Sequence, residues 1–449
     1  SPGYDGVPQW FLRIAAPCLA LPISFLFNIS LALLTVPPQW KTSIITPVPK
    51  ILNPACCADF RPISVTPILS RMLEKIIVRQ FLYPVFDHPS YSYLFSDQFA
   101  FRPSGSTAAA LIYILHKIST LLTSCPYVHL ISLDFSKAFD TVRHSTLADK
   151  ISALPLHDSV HNWLVDFLTD RLHSTKYKGS VSDILDINAS IIQGSGIGPS
   201  AFIINNSDLK AANNGNDLGK YADDTYLMVP STNSSTIPSE LEHIANWAKN
   251  NNLVLNNAKT KEMIIRRNGK TTEMPEPFPN IERVEQLKIL GVTFNSLLKF
   301  HPHISNNIKQ ASQSLYALKI IKAHGLMGTK LWDVSRSTVI NSMLYASPAW
   351  RGFIDAASKS QLQAVISRMI KSKLLPADFP TIAHLINLAD DKLFNAVVKS
   401  DSHVLHPLLP PKKENKYMLR PRRHNMEIPN YNNLMLKNCI PRLVAKDSY

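Results

Sequence analysis

Two adjacent aspartates, Asp223 and Asp224, interrupt an apolar stretch at residues 220–229. β-Forming residues flank them, with Tyr221 before and Tyr226 after, so the segment predicts two short strands joined by a turn that contains both acids. Neighbouring side chains on a straight strand point to opposite faces, and only a turn lets both carboxylates face one site. Carboxylates held together repel unless a cation lies between them, which indicates a divalent metal site. An ordinary solvated turn is the alternative interpretation.

A further acid follows a strand-like segment upstream. Residues 128–133 are mostly apolar, end at Asp134 and lead into a helix-like segment. A third carboxylate beside the hairpin would complete the ligands that two Mg²⁺ ions about 3.5–4 Å apart need to activate a hydroxyl and stabilise a leaving phosphate oxygen. Asp140 is either another ligand or, as we favour, a helix cap or the partner of Arg143.

Three segments, in this order along the chain, resemble motifs A, B and C of reverse transcriptases. They are LDFSKAFD at 133–140, QGSGIGP at 193–199 and YADD at 221–224. The variant is similar to the LINE-type, non-LTR retrotransposon enzymes of animals, and the resemblance covers nearly the whole chain. It implies an α+β fold of the right-hand polymerase type, with fingers, a palm containing an antiparallel sheet, and a helical thumb.

The resemblance also implies the reaction, which is RNA-directed addition of dNTPs to a primer 3′-OH in the service of retrotransposition. Asp134, Asp223 and Asp224 would hold two Mg²⁺ ions, with Mn²⁺ as a possible substitute, and Asp223 would be the stronger ligand of the doublet. Lys259 matches the lysine thought to protonate the pyrophosphate leaving group. The implied partners are an RNA template, a DNA primer and dNTPs.

A second set of residues matches positions that hold the incoming nucleotide. The resemblance places Lys50 and Arg61 over the triphosphate, which the arginine can bind bidentately. Phe139 matches the steric gate, an aromatic ring that leaves no room for a ribose 2′-OH. Gln193 and Gly194 would line the base and sugar pocket, beside a helix whose first N–H groups are expected to be free. Without the resemblance, Lys50 and Arg61 would be interpreted as surface charges and Phe139 as a core residue. The glycine segment would be only a weak signal of a phosphate-binding loop.

The chain is expected to divide into four regions: N-terminal helices and fingers at 1–127, a palm with the catalytic motifs at 128–300, a helical thumb at 301–400, and a basic, proline-containing tail at 401–449. Residues 287–294 resemble the primer-grip hairpin. Arg102 would lie near template or phosphate, or else in the start of a structural helix. Lysines in the thumb helices fit either a grip on the duplex backbone or a solvated face.

The apolar stretch at 10–34 is long enough for a membrane span, which needs about 20 residues. Arg13, Pro17, Pro22 and Asn28 argue against that interpretation. We therefore expect a buried pair of helices broken near the prolines, and no membrane partner.

Composition narrows the class of protein. Lys and Arg number 47 against 33 Asp and Glu, a formal net charge of +14, and this excess favours a polyanionic partner such as nucleic acid. The five cysteines lack CxxC spacing, which indicates reduced thiols inside the cell, with Cys56 and Cys57 in a loop. The resemblance implies a nuclear location when active and a cytoplasmic ribonucleoprotein otherwise.

A different class remains open, namely a catalytically inactive or domesticated retrotransposon-derived nucleic-acid-binding protein. The presence of all three acids favours the enzyme over this alternative. The chain starts without methionine and shows no endonuclease block, zinc knuckle or RNase H acid set. An endonuclease domain is therefore expected elsewhere in a longer polyprotein.

Overall fold

The computed structural model describes residues 3–136, 138–267, 274–413 and 424–446, and the chain forms two compact units. Each unit combines stretches from several parts of the chain, and the boundaries predicted after residues 127, 300 and 400 stay predictions. The basic cluster of the predicted tail, at 420–423, lies outside the described residues. Unit 1 consists of Ser1–Arg102, Asp134–Lys210 and Ser239–Asn256, and unit 2 of Pro103–Leu133, Ala211–Pro238 and Asn257–Tyr449.

The strands are β1 (Thr42–Pro49), β2 (Phe60–Val65), β3 (Tyr127–Leu133), β4 (Phe135–Ser136), β5 (Arg171–Tyr177), β6 (Ser180–Val181), β7 (Leu185–Ile187), β8 (Asp217–Tyr221), β9 (Asp224–Pro230), β10 (Val254–Leu255), β11 (Lys261–Arg266), β12 (Glu282–Arg283), β13 (Gln286–Ile289) and β14 (Val292–Asn295).

The α-helices are α1 (Gln9–Ala32), α2 (Pro38–Lys41), α3 (Ile68–Ile77), α4 (Tyr83–Phe86), α5 (Ser92–Phe95), α6 (Thr107–Ser124), α7 (Ala138–Thr141), α8 (His144–Ser152), α9 (Asp158–Leu168), α10 (Gly198–Asn205), α11 (Ile237–Asn250), α12 (His301–Ala323), α13 (Gly328–Ser335), α14 (Asn341–Met343), α15 (Ser347–Trp350), α16 (Ala356–Lys371), α17 (Ile382–Lys399) and α18 (Cys439–Ala445).

Unit 2 contains a five-stranded sheet in the order β12-β11-β3-β9-β8. Its pairs are antiparallel except for β11 with β12. The central strand β3 carries Val128, Leu130 and Ile131 fully buried, because α6 packs against it and against β8 and β9. An apolar strand with neighbours on both edges has one stable register, since a slip by one residue would turn its buried set to the other face.

Unit 1 is built around a second five-stranded sheet, in which β1 pairs antiparallel with β2 and parallel with β5. Arg171 of β5 is completely buried, and its guanidinium donates to the carbonyls of Phe167 and Trp40 while lying 4.4 Å from the Phe167 ring centroid. Burial lowers the pKa of Arg171 to about 10, against the raising effect of the charge on Glu74. This arginine ties β5 to the helix that precedes it.

The N-terminal apolar stretch forms one continuous helix, so the predicted buried pair is wrong. Pro17 and Pro22 lie inside α1, and only Phe27 and Ser30 of this helix are buried. Each internal proline removes one helical hydrogen bond, and on an exposed helix water can satisfy the carbonyl that loses its donor. Anchoring comes from the C-terminal part, where Trp163 Nε1 donates to Ser30 Oγ over 2.9 Å.

Among the described residues, α1 and α6 are long and apolar enough to cross a membrane by length and composition. Half of the α6 window is buried within unit 2, whereas 11% of the α1 window is buried. The predicted absence of a membrane partner stays a prediction.

A buried ionic network joins β3, β11 and β12 of unit 2. Glu262 is fully buried and is hydrogen-bonded to His129 Nδ1 at 2.7 Å and to Arg283 Nε at 2.8 Å. Burial acts to raise the pKa of Glu262, but its hydrogen bonds with His129 and Arg283 outweigh burial and keep that pKa below its usual range. The network therefore stabilises the fold above the unfolded-state pKa of this carboxyl, and its contribution is lost as the pH falls through the lower folded-state pKa.

We expect Glu262→Gln to lower the free energy of unfolding by about 3 kcal/mol, because it removes one member of a buried ion pair. Urea denaturation at neutral pH measures this change. Glu282→Gln is the matched control, since that side chain is 60% exposed and pairs with Lys261 on the neighbouring strand. The control should cost less than about 1 kcal/mol. Equal effects of the two substitutions would contradict the assigned role of the network.

Candidate active site

The two adjacent aspartates lie at the tip of the hairpin formed by β8 and β9, as predicted. Tyr221 pairs with Asp224, so the loop between the strands is Ala222 and Asp223. Asp224 is therefore the first residue of β9 rather than part of the turn. Both carboxylate side chains are exposed, while Thr225 directly behind them is buried.

Ala222 adopts a left-handed conformation, with φ of +57°. For a residue other than glycine, this left-handed conformation costs about 1–3 kcal/mol of free energy, and it persists only where the surrounding structure imposes it. Here the five-residue pairing of β8 with β9 imposes it. The strained alanine reverses the chain within two residues and sets the two acids side by side at the tip.

Two tyrosines lie beneath the acidic tip. Burial, followed by the charges on Asp224 and Asp223, raises the pKa of Tyr226 well above its usual range. The pKa of Tyr221 is raised by burial, by Tyr345 and by the charge on Asp224. Both phenols therefore stay neutral at physiological pH and can act as hydrogen-bonding groups next to a negatively charged turn.

The segment predicted to be the primer-grip hairpin is confirmed as a hairpin, formed by β13 and β14. Leu290 and Gly291 form its turn with φ of +45° and +86°. The Tyr345 hydroxyl lies 2.9 Å from both Leu290 O and Thr107 Oγ1 and donates to the Leu290 carbonyl. The backbone of Leu290 also acts to lower the pKa of Tyr226, against the raising effect of burial. Within unit 2, Tyr345 thus joins this turn to the start of α6.

The register of unit 2 fixes the position of the strand that precedes Asp134. Leu133, the last residue of β3, pairs with Thr225 of β9, and neighbouring strands lie about 4.8 Å apart. Asp134 is the next residue in the chain and the first of its stretch of unit 1. Its own carbonyl accepts a hydrogen bond from Asn256 N at 2.8 Å, also in unit 1. Its membership of the metal site stays a prediction.

Lys259 lies exposed in the turn between β10 and β11. Two residues later, Lys261 pairs with Ser132 on β3. The turn that carries Lys259 is therefore at the same end of the unit 2 sheet as Leu133 and Thr225. Its catalytic role stays a prediction.

In unit 1, the hairpin predicted to carry Lys50 and Arg61 is confirmed as β1 and β2. Arg61 pairs with Val48, Lys50 follows the end of β1, and both cationic side chains are exposed. Asp59 closes the connecting loop by accepting from the backbone N–H groups of Cys56 and Ala55, and these bonds lower its pKa. The two loop cysteines are exposed, as expected.

The glycine-rich segment packs against this hairpin within unit 1. The Ser64 N–H donates to the Gln193 carbonyl over 2.7 Å. Gly194 has φ of +130°, and a Cβ there would lie 2.2 Å from Ser64 O, so only glycine fits. Gln193 Nε2 donates to Asp140 Oδ1 over 2.6 Å, a contact that the sequence did not indicate for either residue. The two predicted nucleotide-binding residues are thereby joined to the strand that carries Arg61.

The ring of Phe139 stacks on a second aromatic ring, which the sequence did not predict. Its ring stacks on Phe202 with centroids 4.0 Å apart and planes 12° from parallel. Phe202 is completely buried in α10, whereas Phe139 is half-buried. The Phe139 carbonyl also accepts from Ile191 N over 2.7 Å. Nothing in the local pattern signals this pairing, because the two aromatic residues are far apart in the chain.

Glu74 is the second residue that the sequence did not reveal. Its buried carboxylate accepts hydrogen bonds from Gly196 N at 2.6 Å and Ile197 N at 3.1 Å, and from Ser70 Oγ. The Gly198 N–H donates to Ser195 Oγ instead. Side-chain oxygens of the chain itself therefore occupy the N–H groups of residues 196–198, which precede Pro199. The expectation of free N–H groups in the helix after Pro199 stays a prediction.

Gly196 allows this contact with α3. A Cβ at this position would lie 2.9 Å from the Glu74 Cβ and 3.2 Å from the Arg71 carbonyl. The glycine is therefore required for packing of the loop on the helix. Arg102, by contrast, has a structural role, since its guanidinium donates to the Phe95 carbonyl and to Asp87.

Within the described residues, no group of three or more His, Cys, Asp or Glu side chains forms a ready-made metal cage. The exposed pair Asp223 and Asp224 is nevertheless a hard oxygen donor set. Mg²⁺ is usually bound by one or two carboxylates together with substrate phosphates rather than by a complete protein cage. The residues present therefore fit a cation that arrives with a phosphate ligand.

Exposed paired carboxylates that suit a cation arriving with a phosphate ligand are typical of nucleotidyltransferases. Residues 48–294 match the family described as reverse transcriptase (RNA-dependent DNA polymerase), which is more than half of the chain. The chain belongs to this family. The predicted α+β fold of the right-hand polymerase type and the predicted membership of the reverse transcriptase family are thereby confirmed.

Relatives come from non-LTR transposons. The probable RNA-directed DNA polymerase from transposon X-element of Drosophila melanogaster is 25% identical over 368 residues, covering 78% of this chain and 39% of that protein. The enzyme from mobile element jockey of the same species is 26% identical over 338 residues, covering 71% and 36%. A Pol polyprotein from type-1 retrotransposable element R2 of Popillia japonica is 24% identical over 335 residues, covering 69% and 44%. The chain thus spans about two fifths of these relatives.

Similar solved structures include telomerase from Candida tropicalis with a fragment of telomeric RNA, at 13% identity and a TM-score of 0.44, covering 82% of this chain and 59% of that chain. The RNA-dependent RNA polymerase of a human picobirnavirus has 12% identity and a TM-score of 0.44, covering 81% and 63%.

We expect Glu74→Ala to open the glycine loop, because two buried N–H groups lose their acceptor at about 1–3 kcal/mol each. Hydrogen exchange of the amides at 196–198 should accelerate at least about tenfold. Glu74→Gln is the matched control, since it keeps an acceptor oxygen at nearly the same volume, and its effect should be smaller. Unchanged exchange in Glu74→Ala would show that the carboxylate does not hold the loop.

Proposed function

We propose that this chain is the polymerase part of a non-LTR retrotransposon protein and adds dNTPs to a DNA primer 3′-OH on an RNA template. The observation that carries the proposal is the register of β3 with β9, which sets Leu133 opposite Thr225. This register supports the convergence of Asp134 with Asp223 and Asp224. Membership of the reverse transcriptase family supports the same chemistry, and no finding favours the inactive alternative.

Asp134, Asp223 and Asp224 are the proposed ligands of two Mg²⁺ ions, which Mn²⁺ could replace. When bound, such ions lower the pKa of the primer 3′-OH and neutralise charge on the triphosphate. The exposure of the doublet supports this role, because substrate phosphates can reach its oxygens. Lys259 would donate a proton to the pyrophosphate leaving group from the turn before β11.

Lys50 and Arg61 are the proposed cations for the triphosphate. Lys50 is restrained by a hydrogen bond from its Nζ to the Ala58 carbonyl at 2.9 Å, whereas the Arg61 fork lies exposed on β2. Gln193 and Gly194 would border the base and sugar, since Ser64 holds their loop on the same strand. Phe139, backed by its stacked partner, would present a fixed ring edge that excludes a 2′-OH.

The thumb helices offer a basic groove for the duplex. A cavity of about 510 Å³ between α12 and α16 is lined by Tyr316, Lys319, Arg368 and Lys371. Cations in such a groove bind the phosphate backbone without reading sequence. A second groove of about 370 Å³, lined by Lys288 of the β13–β14 hairpin and by Lys309, suits the primer strand.

Target cleavage would fall to another part of a longer polyprotein. The larger size of the relatives supports this proposal. A nuclear location during synthesis and a cytoplasmic ribonucleoprotein before it are part of the same proposal.

Asp223→Asn should abolish primer extension, because the amide loses the negative charge that a divalent ion requires. We expect at least about a 10²-fold loss in rate on a primed RNA template with Mg²⁺, with template affinity nearly unchanged. Asp183→Asn is the control, since it alters an exposed acid of the β6–β7 loop. Full activity of Asp223→Asn would refute the proposal.

Arg61→Ala should raise the KM for dNTP by about 10- to 100-fold, because it removes a charge-assisted hydrogen bond to phosphate. The KM of Arg61→Lys should lie between those of the wild-type protein and Arg61→Ala, because lysine keeps the charge but lacks the bidentate guanidinium group. Lys176→Ala removes an equally exposed cation from β5 of the same sheet and should leave KM unchanged. An equal rise in KM for Lys176→Ala would mean that general electrostatics, and not Arg61, binds the triphosphate.

A further inference from the structure

Two backbone segments of unit 1 run side by side, one at the end of motif A and one before the glycine loop. Their pairing is antiparallel. The Ile191 N–H donates to the Phe139 carbonyl over 2.7 Å. The Ser190 N–H donates to the Val142 carbonyl over 2.8 Å. Asp140 follows Phe139 directly, so these bonds place it beside the residues that lead into the loop.

Ser190 bends the chain between this pairing and the glycine loop. Its φ is +97°, which is strained for a residue other than glycine and persists only where the surrounding structure imposes it. Here the Ser190 carbonyl accepts a hydrogen bond from His144 Nε2 over 2.8 Å, and Ser190 Oγ donates to the Ile191 carbonyl over 3.3 Å. The position of the loop relative to Asp140 is therefore set by the backbone.

The Gln193 side chain is held by Asp140 in one orientation. Gln193 Nε2 donates to Asp140 Oδ1 over 2.6 Å. An ionised carboxylate only accepts hydrogen bonds, so the nitrogen of the amide, rather than its oxygen, must face it. A hydrogen bond to a charged acceptor is roughly twice as strong as one between neutral groups. The carboxylate therefore decides which way the amide points.

The oxygen of the Gln193 amide is left for a ligand. The backbone of this residue is fixed as well, since its carbonyl accepts from the Ser64 N–H over 2.7 Å. Among the residues that the structure describes, Gln193 Oε1 has no hydrogen-bond partner, and the residue is half-buried. An amide carries its oxygen and nitrogen on opposite sides, so a nitrogen held by Asp140 leaves the oxygen turned away from that carboxylate. The side chain thus offers an acceptor.

We infer that Asp140 is a positioning residue, which holds Gln193 so that the amide oxygen, and not the amide nitrogen, is presented to the incoming nucleotide. Asp140 acts through Gln193. A rotated amide would present a donor, and a donor group of the nucleotide would then lose its partner. That the acceptor meets the nucleotide rests on the proposed function, whereas the held amide is a property of the protein alone.

The contact itself is tested in the protein without nucleic acid, nucleotide or metal. Selective labelling of the glutamine side-chain nitrogens gives one pair of amide proton signals per glutamine in a two-dimensional nitrogen–proton NMR spectrum. The pair of Gln193 is the one missing from Gln193→Leu. We expect one proton of this pair to be shifted downfield by the charged acceptor, and the shift to be lost in Asp140→Asn. Asp149→Asn, which alters an exposed acid of α8 in the same unit, is the matched control and should keep the shift.

The functional consequence is measured as the KM for dNTP and as kcat on a primed RNA template. Asp140→Asn should raise KM by about 5- to 10-fold, because it replaces a charged acceptor by a neutral amide, either end of which can face Gln193. The change in kcat should stay below about twofold, because the substitution alters binding of the nucleotide and not the chemical step. Asp149→Asn should leave both constants unchanged.

Reversing the polarity of the pair separates orientation from charge. In Gln193→Glu alone two carboxylates face each other, and KM should rise further than in Asp140→Asn. In the double variant Asp140→Asn/Gln193→Glu the new amide can donate to the new carboxylate, whose second oxygen still offers an acceptor, and the pair keeps its total charge. KM should return to within about threefold of the wild-type value. A metal ligand at this position, or a residue with a structural role alone, would not be rescued by this exchange.

An unshifted Gln193 amide in the wild-type protein would overturn the inference. So would a fall in kcat at unchanged KM in Asp140→Asn, or a double variant whose KM is no lower than that of Asp140→Asn. A wild-type protein that shows the shifted amide yet extends no primer would refute the proposed function alone. A protein that extends primers with an unshifted amide would refute the role of Asp140 alone. Should Asp140→Asn fail to fold, Asp140→Ser takes its place, since a hydroxyl donates as well as accepts and likewise leaves the amide orientation open.

Discussion

The antiparallel pairing of β3 with β9 is the constraint on which the position of the acidic hairpin in unit 2 depends. β3 is paired along both edges, and Val128, Leu130 and Ile131 are fully buried, so a shifted register would break the packing of these side chains. That register sets Leu133 opposite Thr225 and so fixes where the chain leaves the sheet toward Asp134. The strain at Ala222 is tolerable for the same reason, because a rigid pair of strands imposes the turn.

Hairpins that depend on short stretches of sequence were predictable. The acidic hairpin and the cationic hairpin follow from β-forming residues around a turn signal, whereas the β13–β14 hairpin was implied by the family resemblance. All three are observed. The turn was predicted at residues 222–225, whereas the second strand already begins at Asp224. The error is two residues, since the side-chain pattern does not distinguish the last turn residues from the first strand residues. The family resemblance added residue roles that periodicity could not supply.

Features that depend on distant packing were not predictable. Glu74 lies on an amphipathic helix where a charged residue ordinarily faces water, and only the approach of Gly196 turns it into a buried acceptor. Phe202 could not be paired with Phe139 from sequence for the same reason. For α1 the error was the opposite one, since burial was predicted and exposure is observed. Its apolar composition predicts burial, whereas the described fold covers little of this helix.

The contact between Ser64 and Gln193 couples two kinds of recognition. One hydrogen bond and the absence of a side chain at Gly194 clamp the strand that carries Arg61 to the loop proposed to border the base. Any displacement of the hairpin must therefore carry Gln193 with it, and Gln193 pulls on Asp140, the neighbour of Phe139. Under the roles proposed for Arg61 and Gln193, a mismatched base that displaced the loop would also displace the cation that binds the triphosphate, so this backbone contact would couple base pairing to phosphate binding.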